Sequence, residues 1–418
     1  MDELQILFIS CMFLYWSIVN PTYAVIIYLL FSTKVLGFYD LGDLIIGGLD
    51  IGYFTLHMIL MVSIILTGAY RRLPSKLTGL YLVAILLLFY GLIYPVALGY
   101  QSFTYSIIGS KDYLSIILLF YMAANVDTID RDLVFKFLCG VAIYFSFVYV
   151  VFALFTIAPT KYLVIYESGT IAARTYFPTY ISLAIFYLLS KGNLKQTKIT
   201  IAFTIMIIGL IFSNYTSITL TTLAFAYFSL LFKSGKYSKG AHLFITLLLL
   251  ITLICLVELL HPNFSSQLWT KISEVLRQED LSQRTRTIYN EFRWEAINKN
   301  PLWGYGFLHP SSYVMDSFVG RVQGSYLMNS LAVIDSGYVD LLTKFGFFGT
   351  GIYLICIVYY VGLLVKQKDT RVMGFFLVQF FLVNYTWSVL SYRHGIIPMS
   401  IVLALFLFTH SGKKIKRV

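Results

Sequence analysis

Four arginines and one aspartate stand where their chemistry is conspicuous. The tract Ser-Gln-Arg-Thr-Arg-Thr-Ile-Tyr (282–289) carries Arg284 and Arg286, and Arg293 follows two helical turns after Arg286. That spacing would set Arg286 and Arg293 on one helix face. Guanidinium forks grip phosphate oxygens bidentately and keep their charge at any working pH. The competing reading pairs these arginines with Glu279, Asp280, Glu291 and Glu295 as solvated ion pairs. Arg174 opens an apolar stretch in Ala-Ala-Arg-Thr-Tyr-Phe-Pro-Thr; a lone arginine at such a boundary also snorkels to lipid headgroups. Asp335, in Val-Ile-Asp-Ser-Gly-Tyr-Val-Asp-Leu-Leu, is a carboxylate at an apolar boundary. It suits a general base, and Asp-Ser also suits a helix cap. Asp340 would lie deeper, near another helix face. Arg393 and His394, in the short turn 391–395, border the same region or only make the turn. His57 and Glu258 are isolated, too few for a proton or ion relay.

These side chains need a membrane to hold them. The chain has 418 residues, 58% hydrophobic and 12% charged, where soluble domains carry about 25% charged residues. Its mean hydropathy is +0.78. Apolar runs recur from Leu4 onward, most of them near the ~20 residues that cross a bilayer. This excludes a soluble enzyme, a secreted domain and a disordered chain, and the runs are too long for the strands of a β-barrel. The spans read as 4–36, 51–70, 77–98, 113–125, 133–158, 175–190, 199–213, 216–232, 240–260, 337–365, 371–390 and 395–410. The first stretch starts Met1-Asp2-Glu3, without a basic n-region, and runs past Asn20-Pro21 to Leu36; it reads as retained membrane structure rather than a signal peptide. The four cysteines, Cys11, Cys139, Cys255 and Cys356, have neither metal-ligand nor disulfide spacing.

The net charge of +11 is mostly a topology signal, which argues against nucleic acid as the partner. Lys and Arg concentrate in alternate connections, such as Arg71–Lys76, Arg131–Lys136, Lys191–Lys198, Lys233–Lys239 and Lys366–Arg371, and in the C-terminal tail. By the positive-inside rule those are cytoplasmic. The expectation is an all-α polytopic membrane protein of about twelve transmembrane helices with both termini inside; thirteen, with an outer N-terminus, is the alternative. One connection is long, 261–336, and falls outside. Long loops are usually functional or disordered. This one has a helical pattern over 268–299, then Asn300-Pro301, and reads as a partly helical cap. Three parts follow: a bundle over 1–260, the extracytoplasmic loop 261–336, and a bundle with a basic tail over 337–418.

The order of features then becomes specific. Arg286, Asn300-Pro301, Gly304-Tyr305-Gly306, Asp335, Tyr338 and Gly346-Phe347-Phe348-Gly349 follow one another in and just after that loop. The chain resembles the O-antigen ligase/polymerase superfamily of bacterial surface-polysaccharide enzymes, and Arg293 to Gly304 fits the Arg-x10-Gly spacing of its polymerases. The resemblance implies a GT-C-like membrane glycosyltransferase that needs neither metal nor other cofactor. It would act on the outer face of the bacterial plasma (inner) membrane, on an oligosaccharide carried by undecaprenyl pyrophosphate. It maps the family's two pyrophosphate-holding arginines to Arg174 and Arg286. Ligases have a histidine where this chain has Asp335, and that departure favours a repeat-unit polymerase.

The expected catalytic residues are therefore Asp335, Arg286 and Arg174, with Arg284, Arg293, Tyr338, Arg393 and His309 around the substrate. A chain-length regulator and a flippase are the expected protein partners. Ligase-type transfer from the same donor to another acceptor is the first alternative. A polysaccharide flippase is the second, but it predicts a cationic cavity within the membrane and short loops.

Overall fold

The computed structural model describes residues 3–32, 45–46, 49–155, 164–167, 170–173, 177–191, 196–213, 215–233, 290–291, 293–309, 312 and 336–407. These are largely helical. The first apolar stretch breaks into α1 (Glu3–Val19) and α2 (Pro21–Ser32). Pro21 suits the first position of a helix. Asn20 Oδ1 caps that helix by accepting from the Thr22 and Tyr23 amides. There follow α3 (Ile51–Leu66), α4 (Thr78–Ala97), α5 (Phe103–Ser110), α6 (Ile117–Ala124), α7 (Arg131–Phe155), α8 (Pro178–Lys191), α9 (Thr197–Phe212) and α10 (Thr216–Lys233). After the helical residues 293–299, here α11, come α12 (Gly337–Lys366), α13 (Arg371–Val383) and α14 (Arg393–Leu407). Two antiparallel hairpins interrupt the helices. One pairs β1 (Ile45–Ile46) with β2 (Leu49–Asp50), and the other pairs β3 (Val164–Glu167) with β4 (Thr170–Ala173), with Val164 opposite Ala173.

The expected twelve-span, GT-C-like architecture is not what these residues form. Among them, three helices are long and apolar enough to cross a membrane: Ser75–Ala97, Arg131–Phe152 and Gly337–Lys366. A fourth span arises only if Phe103–Ser110 and Tyr113–Ala124, bent by 56°, count as one. The other apolar helices offer apolar stretches of 10–17 residues, such as Ser217–Leu230 within α10. Hydropathy counted apolar residues and missed where helices stop. The run 51–70 ends as a helix at Leu66 because Gly68 takes φ +62°, and the run 371–390 ends at Val383, where Asn384 begins a series of turns. Burial supplies the second reason. Every α14 residue after Arg393 is buried against protein, and a short helix that is apolar all round fits a core position as well as lipid. The long apolar helices that remain are those of a multi-pass membrane protein. The span 240–260, most of the 261–336 loop and the basic tail lie outside the described residues.

Helix contacts build one large apolar core among the described residues. α7 packs on α8 and α9, α10 on α8 and α13, α12 on α4 and α13, and α14 on α6. Some polar groups inside it are paired across helices, the usual glue where both lipid and neighbours are apolar. Gln379 Nε2 and Thr222 Oγ1 both donate to Ser182 Oγ, at 2.6 and 2.9 Å, joining α13, α10 and α8. Tyr28 and His57 share a 2.9 Å hydrogen bond between α2 and α3.

Candidate functional site

Two broken helices and one loop create the site. Pro95 sits inside α4 and has no N–H for the Gly91 carbonyl one turn earlier. The Phe307 amide bonds that carbonyl instead, at 2.9 Å. α12 breaks at Gly346, where φ +61° and ψ −172° suit glycine alone. The break frees the carbonyls of Thr343 and Lys344, which accept from the Tyr305 and Gly306 amides at 2.8 Å each. Beyond it, the Phe347 and Phe348 amides donate to the Pro301 and Leu302 carbonyls. Residues 301–307 thus plug both helices, and these backbone groups exposed by the breaks find partners in the loop.

The glycines of the motif make that approach possible. A Cβ on Gly346 would strike the Leu302 carbonyl, one on Gly304 would meet the Gly346 nitrogen, and one on Gly306 would meet Pro95. Gly304 and Gly306 also hold positive φ, +70° and +73°. Asn300 completes the plug: its amide nitrogen donates to the Gly304 carbonyl and, at 3.2 Å, to Tyr94 Oη.

The plug fixes α11 against the first turns of α12. Ala296 packs on Tyr305, whose hydroxyl donates to the Ala296 carbonyl at 2.9 Å, and Ile297 packs on Val339. Arg293, on the same short helix, is buried. Burial pulls its guanidinium below the ordinary value, opposed by the fields of Asp340 and Tyr392. Among the described residues that guanidinium makes no hydrogen bond. Asp340 is fully buried and holds Lys344 Nζ at 2.7 Å through Oδ2, while Oδ1 is buried without a hydrogen-bond partner. Lys344 also lies 4.8 Å over the Tyr392 ring. Tyr392 stacks near His394, and His394 on Trp387 at 4.3 Å.

The other sequence candidates fall as follows. Arg393 Nε lies 3.6 Å from Asp112 Oδ1 and so ties α14 to the turn before α6. The Tyr338 hydroxyl donates to the Phe381 carbonyl at 2.7 Å and anchors α12 to α13. His309 stacks on Tyr105 at 4.6 Å, its amide held by Gln101 Oε1; burial, then the nearby Lys111, push its imidazole below the ordinary value and favour the neutral ring. Arg174, Arg284, Arg286 and Asp335 lie outside the described residues. Two of them adjoin described elements. Arg174 comes four positions before α8, whose Thr179 donates to the His394 carbonyl at 2.6 Å. Asp335 comes immediately before Ser336, the cap of α12. Sequence reading missed Lys344; its signal was the i,i+4 spacing from Asp340 inside an otherwise apolar segment.

The cluster also has a definite end of the bundle. Arg131, Tyr187, Lys191, Asp369, Thr370 and Phe406 line one pocket at the opposite end, where α7 begins and α8, α12 and α14 finish. The cluster sits where α12 and α14 start.

Among known families, the profile of O-antigen ligase matches residues 201–354. Residues 201–354 of this chain are similar to that family. That region takes in Arg284, Arg286, Arg293, the plug, Asp335, Tyr338, Asp340, Lys344 and Gly346; Arg174 and Arg393 fall outside it. No curated protein matches the chain significantly. A partial match to a family of ligase- and transferase-type enzymes is thus joined to a body with several long apolar helices. Among the described residues no group of three or more His, Cys, Asp or Glu could hold a metal ion.

Proposed function

We propose that the protein polymerises lipid-linked oligosaccharide repeat units in bacterial surface-polysaccharide synthesis. The donor is a glycan on undecaprenyl pyrophosphate, and the reaction takes place at the outer face of the plasma membrane. The observation that carries this reading is the buried Arg293 guanidinium, its N–H groups unused among the described residues, at the end of the bundle opposite the basic connections. By the positive-inside rule those connections are cytoplasmic, so Arg293 belongs to the other leaflet.

The chemistry asks for such groups. The acceptor hydroxyl attacks the anomeric carbon, the bond from that carbon to the phosphate oxygen breaks, and the lipid pyrophosphate leaves with the growing charge. Fixed guanidinium groups stabilise that charge more in the transition state than in the ground state. Arg174 and Arg286 share this role with Arg293, and Asp335 takes the acceptor proton. The lipid tail stays among the apolar helices while the sugars emerge beside residues 261–336. Ligase-type transfer from the same donor is the second reading, favoured by the description of the matching family.

Replacing the gene's product with Arg293→Ala in the host, and sizing the surface glycan, tests the proposal. A polymerase without this donor group makes polymer about 100-fold more slowly or worse and displays single repeat units. Accumulation of lipid-linked polymer would indicate the ligase reading. Long glycan at the normal rate, with wild-type protein levels, would overturn the phosphate clamp.

A further inference from the structure

The described cluster holds two cations, Arg293 and Lys344, and one carboxylate, Asp340. All three are buried or nearly so, the Asp340 side chain 1% and the Lys344 side chain 16% exposed. A buried charge without compensation is expensive, and among the described residues two cations share one anion, a balance that a further anion would complete. Hydrogen-bond capacity says the same. A guanidinium offers five N–H donors and an ammonium three, yet among the described residues they have one charged acceptor between them, Asp340 Oδ2. Phosphoryl oxygens are the acceptor-rich anion that such a set fits.

The geometry keeps these donors available. Asp340 faces Arg293 electrostatically, but its second oxygen makes no hydrogen bond. The carboxylate thus adds a favourable field at Arg293 and, among the described residues, takes up none of its N–H groups. Lys344 lies on the partly exposed side, over the half-buried Tyr392 ring, on a flexible stem that can reach a ligand without backbone movement. Gly346 breaks the helix two residues later, so the plug sets the height of Lys344 on the bundle.

From this we infer that Lys344 is a second phosphoryl ligand beside Arg293, with Asp340 as the positioning residue that keeps both cations ready. The inference rests on the reading above that the site takes a phosphorylated lipid donor. The bland alternative is an i,i+4 ion pair that serves only the helix. Two sources supply the same chemistry: the diphosphate of the polyprenyl donor and the headgroup phosphate of a bilayer lipid.

The full chain, purified in detergent, is titrated with inorganic pyrophosphate and its thermal midpoint followed, for wild type, Lys344→Met, Lys344→Arg and the double variant Asp340→Asn/Lys344→Met. Pyrophosphate raises the wild-type midpoint. Lys344→Met weakens the apparent affinity about tenfold or more, as for loss of a charged hydrogen bond, and Lys344→Arg restores much of it. The double variant separates the two roles, because it removes both charges of the pair. It regains basal stability relative to Lys344→Met but not the response to pyrophosphate. A double variant that binds pyrophosphate as wild type does would overturn the inference and reduce the pair to helix structure. Nanodiscs with undecaprenyl phosphate or with phosphatidylglycerol, at equal mole fraction, separate the sources. Stabilisation by the polyprenyl lipid alone supports a donor ligand, whereas equal stabilisation by both sinks it. Failure here leaves the Arg293→Ala glycan result standing, so the two readings fall separately.

Discussion

Two ion pairs of equal length occupy opposite ends of the bundle. Lys191 and Asp132 meet at 2.7 Å where α8 finishes and α7 begins, their side chains 38% and 55% exposed. Lys344 and Asp340 also meet at 2.7 Å, with 16% and 1% exposed. Distance alone would call them equivalent. At the open end, water screens the charges, the Tyr187 hydroxyl adds a 3.0 Å hydrogen bond to Asp132, and the pair needs no third charge. At the closed end the same contact is made after desolvation of both partners, with a second cation, Arg293, in the field of the same carboxylate. An ion pair built at such cost, beside a guanidinium that makes no hydrogen bond among the described residues, is better explained by a ligand than by stability.

The comparison can be broken most forcefully at Asp340. Asp340→Asn takes from the part-buried Lys344 and the buried Arg293 the one counter-ion the described residues give them, and removing one partner of a buried pair costs about 3–5 kcal/mol. The thermal midpoint of the purified protein should fall accordingly, and added pyrophosphate should recover part of the loss. A fall no larger than that of a surface variant would place the closed end in water and erase the contrast.

Gly346 comes next. Gly346→Ala forces a side chain into a backbone conformation that is essentially glycine-only, at a cost of about 1–3 kcal/mol, and its Cβ would meet the Leu302 carbonyl. The expected result is a loosened plug: lower stability, and surface polymer cut at least tenfold, because Arg293 and Lys344 both hang from it. Gly351→Ala is the control, since nothing lies within 4 Å of a Cβ there; it should leave polymer length unchanged. Equal behaviour of the two variants would mean that the break does not position the site.

Much of this was legible in the residues, and the rest was not for identifiable reasons. Helices begin and end near the apolar runs, and Asn20-Pro21 divides the first as its cap and proline dictate. The motif from Arg286 to Gly349 pointed to the superfamily whose profile matches. The number of spans was overcounted because apolar composition cannot tell a helix in lipid from one enclosed by protein, as α14 is. The service of Gly304, Gly306 and Gly346 as a plug was hidden because its partners, Gly91 and Pro95, lie some two hundred residues away. Lys344 was overlooked because an i,i+4 Asp-Lys pair normally marks a solvated helix face; burial, which no spacing reveals, changes its meaning.

The smallest effect is expected at the open end, and it sharpens the contrast by its smallness. Asp132→Asn removes the partner of Lys191 where both remain in water, so the ammonium is rehydrated rather than stranded. Exposed pairs contribute between 0 and about 1 kcal/mol, and salt screens them further. The Tyr187 hydroxyl keeps a side-chain acceptor in asparagine, and the Lys191 ammonium still faces the Tyr187 ring at 5.5 Å. The midpoint should therefore shift little, the shift should shrink as ionic strength rises, and polymer length should match wild type. Asp340→Asn should keep its penalty under the same salt series, because a desolvated pair is shielded from the ions. Parallel salt dependence at the two positions would show that both pairs see the same solvent, and the closed end would lose its claim to a buried anion site.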